Sequence, residues 1–240
     1  SALTCFGAPG ATPVPGSPGR FSVTSPVAIP ANAGGSLAVT IDGHPAVVID
    51  GATVRVAVTN AVAYAAITDA SPQARRDVVA IEKCNDCHSQ LSMHGNNRTD
   101  SIEVCVACHA PNATDANRRL GDCVDALGDD DNSIDMKYMI HALHAADFTK
   151  QPYGACGYNP DPANGSPHEF DFVYPGKLNN CEGCHVEDGY YPVDPANVLA
   201  TTIDANDVAD PADDVAISPN SSVCSSCHVT DLAKNHMIQN

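Results

Sequence analysis

The pentapeptide Cys84-Asn85-Asp86-Cys87-His88 has the pattern C-x-x-C-H, and this pattern returns at residues 105–109, 181–185 and 224–228. In each copy two thiols can add across the vinyl groups of one haem, and the adjacent imidazole can ligate its iron. The sequence therefore predicts four covalent c-type haems. The eight attachment cysteines are Cys84, Cys87, Cys105, Cys108, Cys181, Cys184, Cys224 and Cys227, and the four motif histidines are His88, His109, His185 and His228.

Two other uses of paired cysteines fit the pattern less well. Zinc and iron–sulfur sites need thiolates in groups of four and gain nothing from a fixed histidine after each pair. With 10 His in 240 residues, the chance that all four pairs are followed by His is roughly three in a million. A thioredoxin-like pair needs a βαβ frame, which the surrounding sequence does not offer.

The composition predicts a weak polypeptide core and an acidic surface. The chain has no Trp, 5 Phe, 18 Pro and 17 Gly. Since so few large aromatic side chains bury little area, we expect the haems to serve as the missing core. The formal net charge of −17 argues against nucleic acid and anionic membranes, which need clustered Lys and Arg. Other redox proteins, extracellular metal ions or minerals are better matched partners, although solubility alone explains the charge equally well.

The motifs also predict an exported protein. No apolar run approaches the length of a membrane span, and covalent haem attachment normally takes place outside the cytoplasmic membrane. We therefore expect a mature product whose signal peptide has been removed, located outside the cell or on its surface. Of the 11 Cys, Cys5, Cys123 and Cys156 lie outside the motifs. Export permits a Cys123–Cys156 disulfide, and Cys5 would then be free, paired between chains or lipid-modified.

The predicted fold class is a small β domain followed by a haem-packed, mostly irregular or α-helical multihaem domain. We expect a flexible arm over residues 1–19, the β domain over 20–70 and the tetrahaem domain over 71–240. Within the β domain, strands are expected over 21–29, 37–41, 45–49 and 53–58. Turns are expected at Asp42-Gly43 and Asp50-Gly51.

Two helices are expected in the larger domain. One runs over 73–83, with Ser71-Pro72 at its start, and the other over 134–146, capped from Asn132-Ser133. Residues 152–176 are expected to form loops, and 186–223 an irregular acidic segment. The Asp-rich stretches at 129–131 and 204–214 match no EF-hand and are interpreted as solvated surface.

Six histidines outside the motifs are available for four distal iron positions: His44, His94, His141, His144, His168 and His236. His141 and His144 lie three apart on a predicted helix, hence on one face, and this favours ligation of two different haems. Methionine at positions 93, 136, 139 or 237 could replace an imidazole and raise the potential. Because the histidines suffice, we favour bis-His iron and low potentials throughout.

Five stretches around the motifs resemble a known family. They are residues 74–79 (ARRDVV), 90–98 (QLSMHGNNR), 137–144 (KYMIHALH), 174–180 (YPGKLNN) and 236–240 (HMIQN). Together they resemble the outer-surface decahaem c-type cytochromes of the OmcA/MtrC family, over about residues 20–240. The resemblance implies extracellular electron transfer and distal ligands at His94, His141, His144 and His236. With four motifs, the chain looks like the C-terminal half of such a protein. His44 and His168 are then not needed as ligands. We expect His44 to be a turn residue and His168 to be a hydrogen-bond partner for a haem propionate.

Three functions follow from these observations. Bis-His haems leave no open coordination site, which favours electron hopping along the haems and no enzymatic activity. A reductase of a small oxyanion would need one five-coordinate iron, and no C-x-x-C-K variant indicates one. The surplus histidines, the arm and Cys5 fit a third hypothesis, in which copies of the chain form a conducting filament. A monomeric electron shuttle fits the same features.

Overall fold

The computed structural model describes residues 11–25, 27–128, 130–194, 196–203, 212 and 214–239. Two compact units are formed, one by Ser1–Leu37 with Tyr64–Ala74 and the other by Ala38–Ala63 with Arg75–Asn240. All four C-x-x-C-H motifs lie in the second unit. Cys5 and most of the acidic stretch over 204–214 fall outside the described residues.

The amino-terminal strands are short. Strand β1 (Ala11–Pro13) pairs antiparallel with β2 (Phe21–Val23), so part of the expected arm is a strand. Strand β2 is shorter than the expected 21–29, a range that includes Pro26, which has no backbone N–H for a ladder. Strand β3 (Ser36–Ile41) pairs with β6 (Ala61–Ala66). The sequence did not predict β6, whose small alternating residues give a weak strand signal.

The hairpin of β4 (Ala46–Ile49) and β5 (Ala52–Arg55) is the element that sequence predicts best. Its two turn residues, Asp50 and Gly51, have φ of 50° and 81°. Positive φ at both positions is the type I′ geometry, which matches the right-handed twist of the flanking strands. The predicted Asp-Gly turn is therefore confirmed.

Six helices are found in the described residues, all in the second unit. They are α1 (Ile81–His88), α2 (Ile102–Cys108), α3 (Asp122–Leu127), α4 (Met136–Thr149), α5 (Pro219–Ser225) and α6 (Asp231–Ile238). Side chains cap four of them by accepting a hydrogen bond from a first-turn N–H: Ser101 for α2, Asp135 for α4, Ser218 for α5 and Thr230 for α6.

Both predicted helix starts were wrong. The first helix begins at Ile81 because residues 78–80 pair with the third motif, an interaction between segments far apart in sequence. The long helix α4 begins at Met136 and is capped by Asp135, not by Asn132-Ser133. Ser133 is instead buried and forms an isolated bridge with Thr114. Tertiary contacts thus override local capping signals at both places.

Residues expected to form loops contain two further hairpins. Strand β9 (Tyr153–Gly157) pairs with β10 (Ser166–Phe170), and β11 (Thr201–Ile203) with β12 (Val215–Ile217). A last hairpin, β7 (Ser92–Met93) with β8 (Arg98–Thr99), follows the first motif. Strand β10 contains Pro167. Proline disfavours a strand prediction because it has no backbone N–H to donate to the neighbouring strand.

A buried ion pair and a disulfide hold β9 to the region after the second motif. Asp115 and Arg119 approach within 2.8 Å, and their side chains are only 1 % and 2 % exposed. The Asp115 carboxylate also accepts hydrogen bonds from the N–H of Asn132 (2.7 Å) and of Cys156 (2.6 Å). Such full hydrogen bonding is what makes a buried charge tolerable. Cys156 is bonded to Cys123, so the predicted disulfide is confirmed.

The polypeptide buries few apolar side chains. Those in the described residues are mostly small: Val104, Cys123, Ala142, Ala145, Ala146, Tyr153, Cys156 and Ile217. Large apolar side chains lie exposed, with Phe148 at 71 % and Leu232 at 82 %. The protein atoms alone therefore give this unit a small hydrophobic core.

Removal of the disulfide should destabilise the second unit. The bonded cysteines are separated by 33 residues, and a closed loop of that size is worth roughly 3–4 kcal/mol in the chain-entropy model. We expect the Cys123→Ala, Cys156→Ala double variant to lose about that much free energy of unfolding, measured by denaturant titration. Glu169→Ala, an exposed change on β10, is the control and should change stability by less than about 0.5 kcal/mol. An unchanged unfolding midpoint in the double variant would contradict this.

Candidate haem sites

The four motifs occupy the ends of short helical segments. Cys84 and Cys87 lie on α1, and Cys105 and Cys108 on α2, so each pair of thiols shares one helix face at a spacing of three. The third motif begins in a 3-10 turn (Cys181–Gly183), and the fourth lies at the end of α5. None of the eight motif cysteines takes part in a disulfide. Burial raises the pKa of the thiols at positions 84, 105, 184 and 227.

The first and third motifs are docked against each other through backbone groups. Ala80 N–H donates to the carbonyl of Cys184 (3.1 Å), and Val186 N–H donates to that of Val78 (3.1 Å). The Lys83 ammonium donates to the carbonyls of Glu182 (2.7 Å) and His185 (2.6 Å). Charge-assisted bonds of this kind are among the stronger hydrogen bonds in proteins. The two motifs are thereby held together although they are distant in sequence.

Three pairs of imidazole rings lie at nearly the same separation. The ring centroids are 6.2 Å apart for His88 and His144, 6.1 Å for His94 and His109, and 6.0 Å for His141 and His185. Each pair joins one motif histidine to one histidine outside the motifs.

This separation fits two imidazoles on one metal ion. Two metal–imidazole bonds of about 2 Å, with about 1 Å more from each donor nitrogen to its ring centre, give centroids about 6 Å apart. Ordinary aromatic pairs cover a wider range, about 4.5–7 Å, so distance alone decides little. The pairing of motif with off-motif histidines, repeated three times, is what favours ligation.

Hydrogen bonds orient four of these rings. The Nδ1 atom of His109 lies 2.8 Å from the carbonyl oxygen of Ile134, and that of His144 lies 2.8 Å from the carbonyl oxygen of Ile140. The Nδ1 atom of His185 lies 3.1 Å from the carbonyl oxygen of Val78. The Nδ1 atom of His141 faces the carbonyl of Lys137. Because a carbonyl can only accept, Nδ1 carries the hydrogen, and Nε2 keeps a lone pair for a metal. This is the outer-shell arrangement of metal-bound histidine.

The electrostatic surroundings favour neutral imidazoles. Burial lowers the pKa of His94, His141 and His185, and Arg98 adds to the effect at His94. A metal binds the neutral ring, so these shifts agree with a ligand role.

Helix α4 supplies two of the rings from one face. His141 and His144 are three residues apart, and their partners belong to the third and first motifs. The buried Ala142, Ala145 and Ala146 let α4 pack closely against α5 and β9. The two candidate sites therefore adjoin along this helix.

His94 is presented by a strained loop between β7 and β8. His94, Gly95 and Asn96 all have positive φ, at 54°, 66° and 66°. The Asn97 amide donates to the His94 carbonyl, and Asn96 donates to the carbonyl of Arg55. Such left-handed residues need a supporting structure, which the β4–β5 region provides here.

The remaining histidines lie in different settings. His228 follows α5, and His236 lies in the last turn of α6, which packs on α5; their pairing stays a prediction. His168 stacks on Phe170 at 6.4 Å, and His44 has Nδ1 3.3 Å from the carbonyl of Pro45. In the described residues neither of these two rings pairs with a motif histidine.

A buried hydrogen-bond network anchors the fourth motif. Thr201 Oγ1 donates to the Asp135 carboxylate and lies 2.8 Å from Ser222 Oγ on α5. Asp135 also caps α4 and pairs with Lys137. The helix that carries two candidate ligands is thus tied to the helix that leads into the fourth motif.

Aromatic residues beside the rings were not predicted from the sequence. Tyr174 and Phe172 contact the His144 ring, and Tyr190 contacts the His185 ring. The signal was present in the stretch YPGKLNN, where Gly176 allows close packing: a Cβ there would meet the Tyr174 ring at 2.9 Å. Within the described ranges, no group of three or more His, Cys, Asp or Glu could hold a metal ion, and no helix is long and apolar enough to cross a bilayer.

In three of the C-x-x-C-H motifs the histidine lies opposite a second imidazole at this spacing. Such an arrangement is typical of a c-type cytochrome. Residues 76–240, more than half of the chain, match the family model of outer membrane cytochromes described as MtrC/MtrF-like, domains II/IV, and the chain belongs to this family. Membership indicates electron transfer at the outer surface of the cell with c-type haem as the cofactor. No curated protein matches the chain.

The docking of the first on the third motif can be tested at Lys83. Lys83→Met removes two charge-assisted hydrogen bonds to carbonyls, and we expect the free energy of unfolding to fall by about 2–3 kcal/mol. Hydrogen exchange should accelerate at the N–H groups of Ala80 and Val186. Lys177→Met, an exposed lysine change, is the control. Equal exchange rates in both variants would show that Lys83 does not hold the two segments together.

Proposed function

We propose that the chain transfers electrons among four covalently attached c-type haems, each held by two histidines. The three ring pairs at 6.0–6.2 Å support the proposal, because each pair would provide two imidazoles to hold one haem iron. When bound, haem supplies a reversible one-electron carrier.

The proposed ligand sets follow from the pairs. The first motif uses His88 and His144, the second His109 and His94, and the third His185 and His141. For the fourth motif we propose His228 with His236, which rests on the family resemblance. The thiols of Cys84, Cys87, Cys105, Cys108, Cys181, Cys184, Cys224 and Cys227 would form the thioether bonds.

Two imidazoles on each iron would leave no open position for a substrate. The chain's own residues then have three tasks: to attach the cofactor, to fix the ring tautomers through backbone carbonyls, and to hold the sites close. The Cys84 thiol, whose pKa is raised mainly by burial, also interacts with Cys184 and Cys105. Cys84 is thus close enough to both other motifs for electrostatic interaction, and such proximity of the first motif to the second and third suits electron transfer among them.

We also propose that the haems complete the core. The few buried apolar residues and the exposed Phe148 and Leu232 support this, because four macrocycles would supply apolar surface that the side chains lack. The net charge of −17 favours cationic redox partners, metal ions or minerals outside the cell.

Two alternatives make different predictions. A filament of copies would use an imidazole outside the three pairs, such as His44 or His168, to ligate a haem of a neighbouring copy. Light scattering of the haem-loaded protein should then give a mass that rises with concentration, whereas a shuttle stays monomeric. A reductase would have one iron that binds carbon monoxide in the ferrous state without loss of a ligand.

The ligand assignment predicts the spin state of variants. His94→Ala, His141→Ala and His144→Ala should each convert one haem from low to high spin, because each removes one axial ligand. Absorption and magnetic circular dichroism spectra of the intact protein measure this. His44→Ala and His168→Ala are matched controls that should stay low-spin. Fully low-spin spectra for all three ligand variants would refute the assignment.

The haem count is tested separately by the mass of the denatured chain. The denatured wild-type chain should have the mass of the polypeptide plus four haems, since thioether bonds survive denaturation. The Cys105→Ala, Cys108→Ala double variant should have the mass of the polypeptide plus three haems. Glu169→Ala, an exposed change on β10, is the control and should keep four. A wild-type chain with fewer haems would contradict the count.

A further inference from the structure

The three histidine pairs differ in the angle between their ring planes. The planes of His88 and His144 are nearly perpendicular, at 87°. Those of His94 with His109 and of His141 with His185 are nearly parallel, at 27° and 19°. The pairs agree in separation, so the angle is the feature that distinguishes the first site.

Two aromatic residues fix the His144 ring. Tyr174 meets it edge-on, with centroids 5.4 Å apart and planes at 87°, and Phe172 does the same at 5.8 Å and 87°. Edge-to-face contact is a favoured aromatic geometry. Together with the Nδ1 bond to the Ile140 carbonyl, these contacts oppose rotation of the imidazole.

The local chain holds Tyr174 in this position. Pro175 restricts the backbone of Tyr174, and Gly176 leaves room for the ring, since a Cβ at 176 would lie 2.9 Å from its atoms. At the third site the contact differs: the Tyr190 ring is tilted by 45° against His185 at 4.9 Å. The pair of edge-on aromatics therefore belongs to the first site.

The angle matters because each imidazole interacts through its π system with one iron d orbital. Parallel planes act on the same orbital and separate the two dπ levels, which gives a rhombic low-spin ferric spectrum. Perpendicular planes act on both orbitals equally and leave them nearly degenerate, which gives a highly anisotropic spectrum with a large maximum g value. Outer-shell residues that orient the ligands thereby tune the metal.

We propose that Tyr174 and Phe172 are positioning residues that hold His144 perpendicular to His88 and so make the first site electronically different from the second and third. This rests on the proposed bis-His ligation. The first and third sites share helix α4 through His144 and His141, so two electronically different sites adjoin along one helix.

Electron paramagnetic resonance of the oxidised, haem-loaded protein tests the proposal. Among the haems of the first three motifs we expect one of the highly anisotropic class that disappears in His144→Ala, and two rhombic haems that disappear in His94→Ala and His141→Ala. Wild-type protein in which the His144-dependent signal is rhombic would overturn the proposal. High-spin iron in the wild type would instead contradict the proposed ligation.

Variants of the two aromatics separate positioning from mere packing. Tyr174→Leu with Phe172→Leu should move one haem's intensity from the anisotropic to the rhombic class while total low-spin haem stays constant. Tyr174→Phe keeps the ring and should keep the signal, and Tyr190→Leu is the control at the other site. Each single Leu variant should lower the maximum g value, which serves as the second measurement if the double variant fails to mature. An unchanged signal in the Leu variants would overturn the proposal.

Discussion

The docking of residues 76–83 on residues 182–189 is the contact on which the candidate sites depend. It brings the first motif to the third. It engages the backbone groups of residues 78–80, which could otherwise have formed hydrogen bonds within the first helix. The Val78 carbonyl fixes the tautomer of His185, and Lys83 binds the carbonyl of the same residue. Helix α4 then faces both motifs with His144 and His141. One interface between distant segments thus helps to set the histidine pairs of two candidate sites, and the family relationship agrees with a role in electron transfer.

The second feature of the molecule is that its interior is held by polar groups more than by apolar packing. The Asp115–Arg119 pair fastens β9, and the Asp135–Thr201–Ser222 network fastens α5 to α4. Such networks specify geometry well when every group is satisfied, but they contribute little net stability. A fold of this kind is suited to a bulky apolar cofactor, which would bring the missing hydrophobic surface with it.

The sequence predicted what depends on local chemistry. The motifs, the Asp50-Gly51 turn and the shared face of His141 and His144 all follow from spacing within a few residues. The Cys123–Cys156 bond was predicted by cysteine counting, and it is confirmed. The start of α1 and the β9–β10 hairpin were missed because contacts between distant segments stabilise them. The ring angles, and the roles of Tyr174 and Phe172, were beyond prediction since they depend on how three segments meet at His144.

The proposed histidine ligation is tested most directly by the positions of the iron atoms in the haem-loaded protein. Anomalous diffraction at the iron absorption edge locates each iron without reference to the polypeptide. We predict one iron midway between the rings in each of the pairs His88/His144, His94/His109 and His141/His185. An iron bound by any of these six rings together with a different residue would contradict it.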